Sequence, residues 1–111
     1  MEKNQKVRWL TYDFNVYPPK TKWNEVGGIY IFCGLNKNNE WVAIYIGETG
    51  EGPTGNFRSR MSGHEKCEKA KSLGATHIHA LMEEDKDLRK AMEEQLIAYY
   101  EPPLNKEHRN G

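Results

Sequence analysis

Gly28-Ile29-Tyr30 and Tyr45-Ile46-Gly47 flank a turn-rich gap holding Gly34, Asn36, Asn38 and Asn39, and this arrangement limits the fold more than any other part of the chain. Each string lies in an apolar run rich in β-branched and aromatic residues, so the pair predicts a β-hairpin. Alternate side chains of a strand share a face. Ile29 and Ile31 are therefore expected opposite Tyr30 and Phe32, and Val42, Ile44 and Ile46 opposite Trp41, Ala43 and Tyr45. With both aliphatic rows on one core, Tyr30 and Tyr45 project together from the other side, beside glycines that leave room for a ligand.

A chain of 111 residues supports one domain with a modest core. We read residues 1–25 as an N-terminal extension packing on a domain of residues 26–111, with a short strand expected near Val7 to Phe14 and an interruption at Pro18-Pro19. The charged start predicts no targeting segment, and no apolar run approaches the roughly 20 residues that span a bilayer. Cys33 and Cys67 lack CxxC spacing and fit free thiols in a reducing, cytoplasmic setting. Lys+Arg and Asp+Glu are 16 each, a balance that speaks against tight non-specific nucleic-acid binding. The bases nevertheless gather at Arg58, Arg60, Lys66, Lys69 and Lys71, and the acids at Glu83, Glu84, Asp85 and Asp87.

The loop from Glu48 to Gly55 is glycine-rich but lacks the lysine and spacing of a P-loop. Asn56 is expected to cap a helix from Phe57 to about Leu73, closed by Gly74, with Gly63 as an interior cost. Arg60 and His64, four apart, share a face of it; a solvated basic face is the plain alternative to a functional pair. Thr76 to Met82 reads as a third strand with His77, His79 and Leu81 on one face. A His-x-His pair can hold a metal, yet no further ligands group with it. Asp85 caps a last helix carrying Leu88, Met92, Leu96 and Tyr99 at helical spacing, ended by Pro102-Pro103. Glu93 flanks that stripe, either as a helical ion pair with Arg89 or as a carboxylate for a metal.

With both strings in place, the chain resembles the GIY-YIG nuclease family from about Gly27 to Asn105. Arg60 and His64 stand in the relation that the family's first helix shows. Glu93 ahead of Leu96-Ile97, then Pro102, Pro103 and Asn105, match its later helix and ending, favouring Glu93 over Glu94 and Arg60 over Arg58. The gap from Tyr30 to Tyr45 is longer than is usual in the family, and no linked DNA-binding module is evident. The resemblance implies an α+β GIY-YIG domain, a small central three-stranded antiparallel sheet flanked by helices.

It also implies a metal-dependent endonuclease acting on nucleic acid, expected to be DNA. Phosphodiester hydrolysis needs a cation, an activated nucleophile and a stabiliser of developing charge. By similarity Glu93 would hold one divalent metal, Mg²⁺ or Mn²⁺, with water completing the shell, and Arg60 would clamp the phosphate with its planar fork. Tyr45 would act as general base or position the water, assisted by His64. Tyr30 would orient the nucleophile or phosphate, and Asn105 would tie the C-terminal segment to the site. Gly47 and Arg58 are further candidate substrate contacts. Two other readings stay open: a module that binds nucleic acid or protein without cutting, and a nuclease active only with a protein partner that supplies DNA affinity.

Overall fold

The computed structural model describes residues 6–17, 27–49 and 65–105, and within them the chain forms one five-stranded antiparallel sheet with two helices. In chain order the elements are β1 (Lys6–Trp9), β2 (Tyr12–Tyr17), β3 (Gly28–Leu35), β4 (Trp41–Thr49), α1 (Glu65–Ser72), β5 (His77–Met82) and α2 (Lys86–Tyr100). The strand order is β1-β2-β5-β3-β4. The class is α+β, as expected. The three strands read from the sequence are contiguous as β5-β3-β4, but the sheet is larger than three. Residues 6–17, read as an extension lying on the domain, form a hairpin that joins the sheet through pairing of Asn15, Val16 and Tyr17 with Ala80, His79 and Ile78. Alternating Val7, Trp9, Tyr12 and Phe14 supplies the buried side of that hairpin.

The β3–β4 hairpin turns on Asn36. Its Oδ1 accepts from the backbone N–H groups of Asn38 at 2.8 Å and Glu40 at 3.0 Å, and Asn39 adopts φ 63°. Asparagine tolerates the left-handed region and its side chain mimics backbone, which explains the Asn-rich gap. From Gly28 to Phe32 the ladder is regular, Tyr30 facing Gly47 and Phe32 facing Tyr45. Cys33 then faces Ala43, leaving Ile44 as a β-bulge. This corrects the expected aliphatic row. Ile46 and Ala43 join Ile29, Ile31 and Cys33 on one face, whereas Ile44 and Tyr45 join Tyr30 and Phe32 on the other. Val42 is exposed.

Each face has its own cover. α2 lays Met92 and Leu96 on the first face together with Trp9 and Phe14. Asp85 caps it, its side chain accepting from Leu88 N–H at 3.0 Å. Glu101, at φ 47°, ends it ahead of the prolines, its N–H donating to the Ile97 carbonyl. Leu88 and Tyr99, expected on the buried stripe, are exposed at 48% and 68%, and Arg89 is buried in the first turn. The first turn lies against the carbonyls of Glu83 and Glu84, which call for a donor rather than a leucine.

The second face is covered by Ala70 of α1 and by Leu104 from the short helical turn at 103–105. The described part of α1 ends as the sequence anticipates. Gly74, at φ 106°, donates to Lys71, and Ala75 N–H returns to the Ala70 carbonyl, a Schellman closure. That closure presses on β3: a Cβ on Gly34 would stand 2.2 Å from the Gly74 carbonyl oxygen. The expected start of this helix at Asn56 lies outside the described residues. Among the described residues no helix is long and apolar enough to cross a membrane.

Candidate active site

Tyr30 and Tyr45 stand on neighbouring strands of the same face, their ring centroids 6.1 Å apart at 80°. Phe32 completes the group, edge-on to Tyr30 at 5.3 Å. Such near-perpendicular pairs are a preferred aromatic geometry. Tyr30 is fully buried, whereas Tyr45 keeps 9% exposure. The Tyr30 ring lies across Gly47, where a Cβ would come within 2.5 Å of its Oη and 2.6 Å of its ring carbons. The tyrosine of one string therefore requires the glycine of the other, and close packing explains Gly47 without invoking a substrate contact.

Asn105 fixes the second string. Ile46 N–H donates to its Oδ1 at 2.7 Å, and its Nδ2 donates to the Ile46 carbonyl at 2.8 Å. The side-chain amide thus acts as one residue of an additional strand on β4, and it is itself buried. Its hydrogen-bonding capacity toward β4 goes to backbone, which makes it a positioning group for Tyr45-Ile46-Gly47.

Glu93 lies on α2, half-buried, one turn past Arg89 and beside the buried Met92. Arg89, one of the two roles open to Glu93 being an ion pair with it, directs Nε to Glu48 Oε1 of β4 at 3.0 Å. Residues 41 apart signal nothing by spacing, and the arginine inside an apolar stripe is the one clue to this pair in the sequence. Arg58, Arg60 and His64 lie outside the described residues. The structure thus brings together Tyr30, Tyr45, Gly47 and Asn105.

The His-x-His pair has a structural setting. His79 is fully buried; its Nδ1 accepts from Trp9 Nε1–H at 2.9 Å, and Trp41 meets its ring edge-to-face at 4.4 Å. Accepting at Nδ1 puts the proton of the neutral ring on Nε2, which has no hydrogen-bond partner among the described residues. Burial, helped by the nearby His77, lowers its pKa to about 4. Burial also pushes the Cys33 thiol upward, so it is inert. Among the described residues no group of three or more His, Cys, Asp or Glu side chains could hold a metal. A hard cation that keeps most of its waters needs only one or two carboxylates, and a half-buried Glu93 is compatible with that.

Further along the tyrosine face, Gly34, Leu35, Val42, Ile44, Leu73 and Pro103 line an open apolar groove of about 310 Å³. Comparison of the chain with protein-family models, with curated proteins and with solved structures gave no match.

Proposed function

We propose that this chain is a GIY-YIG-type, divalent-metal-dependent endonuclease that hydrolyses phosphodiester bonds in DNA. The observation that supports this best is the ring-to-ring placement of Tyr30 and Tyr45 on one sheet face, with Asn105 holding the second strand from its edge. Tyr45 retains some exposure and is the phenol suited to meet the attacking water; fully buried Tyr30 orients it through the aromatic pair. Glu93 would hold Mg²⁺ or Mn²⁺, which when bound neutralises charge on the phosphate. Arg60 clamps the phosphate, and His64 accepts a proton near neutrality. A phenol ordinarily titrates near 10, so Tyr45 works as a base only with a depressed pKa and otherwise holds the water by hydrogen bonding.

The zero net charge favours one refinement: a protein partner supplies part of the DNA affinity. The test is a cleavage screen with Mg²⁺ or Mn²⁺ across single-stranded, duplex, flapped and junction DNA, with and without Glu93→Ala. Cleavage that needs the metal and disappears in folded Glu93→Ala is the expected result. Equal activity in the variant would sink the assignment.

A further inference from the structure

Arg89 occupies a position where four segments meet. Its Nε donates to Glu48 Oε1 at 3.0 Å, and its Nη1 donates to the carbonyls of Glu83 at 3.0 Å and Glu84 at 3.1 Å. A Cβ on Gly27 would stand 2.8 Å from that Nη1 and 3.1 Å from the Thr49 carbonyl oxygen, so the start of β3 and the end of β4 also close around it. The guanidinium side chain is 4% exposed, and Glu48 is 23% exposed. Gly27 immediately precedes the first tyrosine string and Glu48 immediately follows the second. Glu93 sits one helical turn beyond Arg89.

A buried ion pair of this kind is weak as a source of stability, because desolvating both charges offsets most of their attraction and apolar residues of similar volume often serve as well. Its geometry does something apolar packing cannot. A planar fork bonded to a carboxylate on β4 and to two carbonyls beyond β5 fixes both the rotation and the height of the first turn of α2. Resting on the nuclease reading above, we infer that Arg89, braced by Glu48, is a positioning residue that fixes where Glu93 stands on α2, the helix packed on the face of β3 and β4 opposite Tyr30 and Tyr45. It touches neither substrate nor metal. It acts through the helix it anchors.

The test replaces the pair by apolar residues, Glu48→Met with Arg89→Met, so that no buried charge is stranded and the fold is kept; thermal unfolding checks this. Arg89→Lys, which keeps the charge and loses the fork, is the second variant. The readouts are kcat, KM for a DNA substrate, the Mn²⁺ concentration for half-maximal cleavage, and paramagnetic broadening by Mn²⁺ of the Glu93 amide signal. The expected result is a folded double variant with KM little changed and kcat lower by about 100-fold, the scale of an ångström-sized misplacement. It also needs several-fold more Mn²⁺ and shows weaker broadening at Glu93, with Arg89→Lys intermediate. A folded double variant matching the wild type in kcat and Mn²⁺ response overturns the inference alone. A wild-type chain that neither cleaves DNA nor shows Mn²⁺ broadening at Glu93 overturns the nuclease reading and this inference with it.

Discussion

The Asn105 carboxamide both accepts from and donates to the backbone of Ile46, so a side chain 59 residues away completes the outer edge of β4. Exposed strand edges invite pairing with other chains, and at Ile46 this edge is met by the Asn105 amide. Asn105→Ala leaves the buried N–H and C=O of Ile46 without those partners. Each such loss costs about 1–3 kcal/mol, so the variant should be less stable by about 2–6 kcal/mol, read from denaturant unfolding. Asn105→Asp should also destabilise at neutral pH, since a carboxylate accepts from the N–H but repels the carbonyl. An unchanged midpoint in Asn105→Ala would show that the contact contributes nothing.

Tyr30 and Gly47 form a second dependent pair. Gly47→Ala forces a methyl into the Tyr30 ring and should cost about 1–3 kcal/mol, as overpacking of a filled core does. In a Tyr30→Leu background the same substitution should cost much less. A double-mutant cycle on unfolding free energies checks this coupling, and additivity would disprove it.

His79 makes stability depend on pH. Its pKa in the fold is about 4, against about 6.5 when unfolded. The unfolded chain therefore binds the proton more readily in this range. The contribution is fully present above about 6.5 and is lost as pH falls toward about 4, with a total on the order of 3 kcal/mol. Protonation at Nδ1 also sets two donors, His79 and Trp9, against each other. His79→Gln should flatten the dependence of the unfolding midpoint between these limits, and the difference from wild type isolates His79 from other titrating groups.

For the proposed chemistry, Tyr45→Phe should lower kcat by about 10²–10⁴-fold if the phenol takes a proton. Tyr30→Phe keeps the ring and should have a smaller effect. The limb of the pH–rate profile belonging to the phenol should vanish in Tyr45→Phe only. A profile unchanged in that variant would remove Tyr45 from the role of base.

The common face of Tyr30 and Tyr45 was legible because strict alternation holds over Gly28–Phe32 and over Tyr45–Thr49. Ahead of Tyr45 the same rule failed. Trp41-Val42-Ala43-Ile44 contains no glycine or proline to mark a bulge, so the register change has no local signal. The cap at Asp85, the closure at Gly74 and the stop before Pro102 are written in neighbouring residues and were readable. The exposure of Leu88 and burial of Arg89 were not, because the carbonyls of Glu83 and Glu84 and the carboxylate of Glu48 decide them. Likewise the His-x-His strand became core only when Trp9, 70 residues earlier in the chain, came to lie against it. The N-terminal apolar residues suggested a strand but could not disclose its neighbour. Helical spacing marks Glu93, Arg60 and His64 as candidates and only the family resemblance assigns them roles, with Arg60 and His64 outside the described residues.

The bulge gives β4 a spare residue. Phe32 pairs with Tyr45 and Cys33 with Ala43, so Ile44 can be excised while both pairings stand. Loss of one residue within a regular paired stretch sends the side chains beyond it to the opposite face. Loss of Ile44 would instead leave a continuous ladder with Tyr45 still beside Tyr30, a prediction that aromatic NMR contacts between the two rings can check. Hairpin length and tyrosine placement are thereby uncoupled, and insertion or deletion at this point can reshape the apolar groove that Ile44 lines while the paired tyrosines remain where they are.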